Sequence, residues 1–94
     1  MSKEYKAYKI AVKGKVQHVG FRYWTECQAL KLNIKGFVKN SVDESIVELE
    51  VEGTSDRMEA FLKAIANDHP YAKVESIEKE SIEIKGYKNF EIIR

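Results

Sequence analysis

Apolar and polar residues alternate from the start of the chain. Tyr8, Ile10 and Val12 fall on one side and Lys9, Ala11 and Lys13 on the other, the period-two pattern of a strand. A loop from Gly14 to Gly20 follows, and Tyr23 to Leu32 contains neither glycine nor proline, which predicts a helix. Phe21, Thr25, Ala29 and Leu32 share a stripe flanked by Trp24 and Gln28, while Tyr23, Cys27 and Leu30 lie off it. Residues 34–40 predict a second strand, and Ser41 to Ser45 a polar turn. Val47, Leu49 and Val51 then alternate with Glu48, Glu50 and Glu52, so the third strand should have one buried and one wet face. Gly53 is expected to end it, with Thr54 or Ser55 capping a second helix and Asp56 in its first turn. Met58, Phe61, Leu62 and Ile65 recur at helical spacing, and Pro70 bars further helix. Val74 to Ile84 is strand-like but changes phase between Val74 and Ile77, which predicts a bulged start. Gly86 precedes a short final strand whose Phe90 and Ile92 share one face.

The order β-α-β-β-α-β matches the split-βαβ, or ferredoxin-like, arrangement. The expected fold is an α+β two-layer sandwich, an antiparallel sheet with two helices on one face. No repeat, linker or low-complexity stretch divides the chain, so residues 1–94 read as one domain. This architecture carries many functions, and activity has to be argued from a site.

Composition narrows the classes. With 44% apolar and 33% charged residues, the chain has an ordinary soluble composition. A net charge of +1 argues against a general nucleic-acid or membrane-surface binder, which would carry a basic excess. No apolar run approaches the roughly 20 residues of a membrane helix, and Met1-Ser2-Lys3-Glu4 lacks the apolar core of a signal peptide. Cys27 is the only cysteine, which excludes an internal disulfide and disfavours a thiolate metal site. The expectation is a small cytoplasmic protein, compatible with a monomer.

The stretch Gly14-Lys15-Val16-Gln17-His18-Val19-Gly20-Phe21-Arg22 carries the candidate chemistry. It joins a strand to a helix start, where N–H groups lack intrahelical partners and the helix dipole favours negative charge. Arg22 adds a planar fork suited to phosphate or carboxylate oxygens. A cation at a helix N-terminus opposes the dipole, and a bound anion would remove that conflict.

Val16-Gln17-His18-Val19-Gly20-Phe21-Arg22 closely resembles the acylphosphatase signature V-Q-G-V-x-F-R, and Gly36-Phe37-Val38-Lys39-Asn40 matches that family's second signature, G-[aromatic]-V-x-N. The Val-Glu-Leu-Glu-Val-Glu-Gly strand and the Phe90-Glu91-Ile92 ending are similar too, so the resemblance spans nearly the whole chain. It implies hydrolysis of carboxyl-phosphate anhydrides without a metal or other cofactor. It also implies that Arg22 binds phosphate, that Asn40 positions water, and that Gln17, His18, Val19, Gly20, Phe21 and Arg22 form the phosphate-binding loop. Two departures stand out. His18 replaces the usual glycine, and the turn Asn40-Ser41-Val42-Asp43-Glu44-Ser45 lacks a glycine and is one residue longer.

The chemistry is coherent without the family. A carboxylate leaving group, whose conjugate acid has a pKa of about 4 to 5, needs no proton at neutral pH. In a loose phosphoryl-transfer transition state the attacking water bonds little, so a strong base is dispensable as well. What remains is to hold the phosphoryl oxygens, neutralise their charge and place one water in line. Backbone amides of residues 17–22 and the Arg22 guanidinium suit the first two tasks, and the Asn40 carboxamide, both donor and acceptor, suits the third. Inorganic phosphate or sulfate should then compete with a small acyl phosphate.

Other features have plainer readings. His18 is one of the residue types that tolerate positive φ; its side chain is either exposed at a small conformational cost or leans over the phosphate and makes activity pH-dependent. His69 beside Pro70 reads as a surface residue, and Cys27 as a partly buried small apolar one. The acidic run Asp43, Glu44, Glu48, Glu50, Glu52 and Asp56 reads as a solvated face rather than a cation site. Two rival functions share the fold. A non-catalytic anion-binding or regulatory module leaves the pairing of Arg22 with Asn40 unexplained. An RNA-binding module would expose aromatics on its central strands, where this chain has glutamates that repel a phosphate backbone.

Overall fold

A computed structural model describes residues 4–93, so the signal-peptide reading of Met1 to Lys3 lies outside the described residues. The elements are β1 (Tyr5–Lys15), α1 (Phe21–Leu32), β2 (Lys35–Asn40), β3 (Ile46–Thr54), α2 (Ser55–Asn67), β4 (Lys73–Ser81) and β5 (Phe90–Ile93). They build one five-stranded sheet in the order β4-β1-β3-β2-β5. β1, β2, β3 and β4 pair antiparallel, as expected, but β5 joins the edge parallel to β2, so the sheet is mixed. The ferredoxin-like α+β sandwich stands, with both helices on one face.

The core follows the alternation. Ile10 and Val12 of β1, Val47, Leu49 and Val51 of β3, and Val38 of β2 are buried, together with Phe21 and Ala29 of α1 and Met58, Phe61 and Ile65 of α2. Fully burying each large apolar side chain contributes about 1.5–3 kcal/mol, and this common cluster fixes both helices to the sheet. The off-stripe residues of α1 are outside it: Tyr23 is 68% and Leu30 65% exposed. α1 begins at Phe21, two residues before the glycine-free stretch suggested, and ends at Asn33 in the left-handed region, where Ile34 N–H donates to the Ala29 carbonyl.

Several element ends differ from expectation for local reasons. The β4 bulge is present: Lys13 faces Ser76 and Gly14 faces Val74, so Glu75 is the extra residue. Gly14 therefore belongs to β1, and glycine is required because a Cβ there would lie 2.1 Å from the Lys73 carbonyl oxygen. β3 runs one residue past Gly53 to Thr54, which occupies the N-cap of α2 without a side-chain capping bond; its hydroxyl is buried with no partner among the described residues. β4 stops at Ser81 rather than Ile84.

The glutamate face of β3 is only partly wet. Glu48 and Glu50 are half-buried, but Glu52 is 1% exposed because residues 82–89 cross beneath the sheet from β4 to β5. The Glu52 carboxylate accepts N–H groups of Lys85, Gly86 and Tyr87. Glu50 accepts Lys85 Nζ at 2.7 Å and the Tyr87 hydroxyl at 2.8 Å. The lysine hydrogen bond holds the Glu50 carboxyl below its ordinary pKa. Burial, then the hydrogen bond to Glu50, pushes Tyr87 up to about 12.

Candidate active site

Three elements meet where the loop after β1 enters α1. Val16 is buried and anchors the loop's first residue in the core, and Phe21, 1% exposed, anchors its last. Between them His18 has φ 65° and Gly20 φ 76°, both in the left-handed region. Left-handed residues at alternate positions turn successive N–H groups toward one side, the geometry of anion-binding nests. Among the described residues, no backbone acceptor takes an N–H from residues 18–22, and the first helical bond runs from Trp24 N–H to the Gly20 carbonyl at 3.0 Å.

Arg22 stands in the first turn of α1, where no acidic residue complements the dipole. Its Nη1 donates a long 3.4 Å hydrogen bond to the Ile93 carbonyl, and it forms no ion pair among the described residues. Asn40 ends β2, two strands from β1. Its Oδ1 is buried and has no hydrogen-bond partner among the described residues.

These side chains meet in one cleft of about 250 Å³, lined by Val16, His18, Gly20, Phe21, Arg22, Tyr23, Asn40 and Ile92. A second cleft adjoins it, sharing Arg22 and Asn40 and adding Lys39 and Ile93. Of the loop residues singled out in the sequence, His18, Gly20, Phe21 and Arg22 line the cleft, whereas the Gln17 and Val19 side chains do not. Val19 packs against the core.

Gln17 has a role that its position in the motif did not reveal. Its Nε2 lies 2.8–3.0 Å from the carbonyl oxygens of Ser41, Asp43 and Ile46, so it stitches the loop to the β2–β3 turn. That turn also shows why it needs no glycine. The Asp43 carboxylate accepts the Ser45 N–H at 2.9 Å and the Ser45 hydroxyl at 2.6 Å, an Asx-type closure that keeps residues 41–45 out of positive φ. Those two bonds, the hydroxyl first, also lower the Asp43 pKa. The departure from the signature is thus confined to the hairpin tip, and Asn40 keeps its pairing with Val47.

His18 is exposed on the rim of the cleft, and its positive φ explains why a glycine would suit the position. His18→Gly is expected to preserve or raise acyl-phosphate turnover, since it removes a conformational cost of roughly 1 kcal/mol. Steady-state kinetics of that variant check this, and a collapse of kcat would assign the imidazole a direct role.

The surface reading of His69 is corrected. It is half-buried behind the loop, with its ring 5.8 Å from Phe21, 5.2 Å from Trp24 and 6.2 Å from Tyr71. Its Nδ1 accepts the Tyr71 and Ala72 N–H groups, both at 3.0 Å, which fixes the imidazole against the helix start. Cys27 is half-buried, as expected.

Fold and cleft together define a ferredoxin-like α+β domain with a cleft holding Arg22 and Asn40 at the start of its first helix. A sequence profile of the acylphosphatase family matches residues 8–92. The acylphosphatase of Treponema denticola is 46% identical over 87 residues, covering 93% of this chain and 92% of its own. That of Bacillus subtilis is 39% identical over 87 residues, covering 92% and 94%. A crystal structure of acylphosphatase from Bacillus subtilis superposes with a TM-score of 0.89 at 35% identity, covering 97% of this chain and all of that one. The chain belongs to the acylphosphatase family, and it is an enzyme that hydrolyses acyl phosphates.

Proposed function

We propose that the cleft performs this hydrolysis without a metal ion, with residues 17–22 as the phosphate-binding loop, Arg22 as the charge-neutralising residue and Asn40 as the residue that positions water. The observation that carries this reading is the buried Asn40 Oδ1, without a hydrogen-bond partner among the described residues, in a cleft shared with the Arg22 guanidinium. A buried acceptor without a partner costs about 1–3 kcal/mol, and a water donating to it would offset that cost. Backbone N–H groups and the guanidinium hold the three phosphoryl oxygens. The water held by Asn40 attacks phosphorus as the bond from phosphorus to the acyl oxygen breaks. The bonding electron pair leaves with the carboxylate, and the water's proton passes to phosphate or solvent. The products are a carboxylate and inorganic phosphate. Neither step demands a Lewis acid, because the leaving group is stable as an anion and the incoming water bonds late.

The substrate is read as a small-molecule acyl phosphate, with phosphate or sulfate as competing anions. Residues 1–94 are read as a single domain acting as a cytoplasmic monomer without nucleic acid or membrane. Among the described residues no helix is long and apolar enough to cross a membrane, and the glutamates of β3 suit neither polyanion. Benzoyl phosphate hydrolysis in the presence of a chelator tests the reading. Turnover should be unaffected by the chelator, and inorganic phosphate should inhibit competitively. Loss of turnover with chelator would remove the metal-free mechanism, and non-competitive inhibition would place the anion site elsewhere.

A further inference from the structure

The mechanism leaves Glu52, a buried carboxylate far along the chain from the loop, without a task. It lies in β3 opposite Ala7, on the sheet face away from the helices. Three successive N–H groups, those of Lys85, Gly86 and Tyr87, donate to it. Charge-assisted bonds of this kind are roughly twice as strong as neutral ones, so this carboxylate is the principal knot in the connection between β4 and β5. Lys85 and Tyr87 also bind Glu50, and the Tyr87 ring meets Phe37 of β2 at 6.1 Å.

Residues 82–89 form a strap that delivers β5. At its last residue, the Asn89 carbonyl accepts Gly36 N–H at 2.9 Å, and β5 pairs with residues 36–39 of β2. β5 is a four-residue edge strand anchored by Phe90, whose ring meets Phe61, and by Ile92, which packs against the core, and the strap sets how it reaches that edge. Ile92 also walls the cleft, and the Ile93 carbonyl is the one protein acceptor bound to Arg22 among the described residues.

We propose that Glu52 is a positioning residue for Arg22: by knotting the 82–89 strap it fixes β5, and with it the Ile92 wall and the Ile93 carbonyl that orient the guanidinium. The proposal rests on the reading that Arg22 binds the phosphoryl group. It assigns a buried charge on the far face of the sheet to phosphate affinity in the cleft.

The test uses Glu52→Ala, which deletes all acceptors, and Glu52→Gln, which keeps one acceptor oxygen. Benzoyl phosphate kinetics, the inhibition constant of inorganic phosphate and amide hydrogen exchange are measured where circular dichroism shows each variant folded. Glu52→Ala should lower kcat/KM by about tenfold and weaken phosphate inhibition by a similar factor, as sub-ångström misplacement of a binding group would. Glu52→Gln should recover most of both. Exchange should quicken at residues 85–87 and 90–93. Gly86→Ala gives a second route: at φ 79° a side chain strains the strap, while its Cβ would meet nothing within 4 Å. It should weaken phosphate inhibition in the same direction even if Glu52→Ala does not fold. Ile65→Val in α2 serves as the control for stability lost elsewhere, and phosphate inhibition should not change in it. Faster strap exchange with unchanged phosphate inhibition would overturn the proposal, as would equal weakening in Ile65→Val. If Arg22→Ala itself retained full activity, the underlying reading of Arg22 would fail instead, so the two failures are separable.

Discussion

Arg22→Ala is expected to lower kcat/KM for benzoyl phosphate by ~10³-fold or more, the range that a transition-state arginine supplies in phosphoryl transfer. The same variant should lose competitive inhibition by phosphate, because the guanidinium acts on ground and transition states alike. Stability should not fall with activity. The side chain sits at a helix N-terminus with no acidic residue in the first turn, where a cation opposes the dipole by about 0.3–1 kcal/mol. Its hydrogen bond to the Ile93 carbonyl is 3.4 Å long and contributes little in compensation. Thermal unfolding should therefore give a Tm equal to or above that of the wild type. Arg22→Lys keeps the charge but loses the planar fork, and it should restore only part of the activity. A large loss of Tm together with activity would make Arg22 a structural residue and sink this account.

That opposition between local stability and function is one reason the candidate site stood out in the sequence, and the resemblance of two separate motifs to the acylphosphatase signatures is the other. Arg22 breaks the usual chemistry of a helix start, where acidic residues are favoured, and Asn40 closes the second motif, Gly36-Phe37-Val38-Lys39-Asn40. Signals of that kind are local: they need a strand, a turn and a helix in order, and the period of apolar residues supplies those. The core was legible for the same reason. Ile10, Val12, Val47, Leu49, Val51, Phe61 and Ile65 are buried where the periodicity puts them.

The parts that were not legible depend on segments that meet only in three dimensions. Glu52 continues a perfect apolar–acidic alternation, so nothing local separates it from the wetter Glu48; only the strap more than thirty residues later buries it. Gln17 lies in the signature, yet the acceptors for its carboxamide are carbonyls of the β2–β3 turn. His69 follows a helix end beside a proline, a surface context, and its burial comes from Phe21 and Trp24 of the other helix. The parallel direction of β5 was hidden for a related reason. Whether a final strand pairs antiparallel or parallel depends on which sheet edge the strap reaches, and the strap has no period of its own.

Asn40→Ala separates water placement from phosphate binding. The carboxamide carries no net charge, so its removal should leave the phosphate inhibition constant within about twofold of wild type while kcat falls by ~10²-fold or more, the cost of a misplaced reactant. Truncation also deletes an acceptor that has no partner among the described residues, so no hydrogen bond to them is lost and the variant should unfold no earlier than wild type. Asn40→Asp makes the complementary test. It keeps shape and acceptor oxygens but sets a negative charge in the cleft that Arg22 shares with the phosphoryl group. Like-charge repulsion should then weaken phosphate inhibition as well as kcat, so the alanine variant loses only rate and the aspartate variant loses both. If Asn40→Ala instead weakened phosphate inhibition as strongly as Arg22→Ala, the carboxamide would be binding the phosphoryl oxygens, and water placement would have to be sought in another residue lining the cleft.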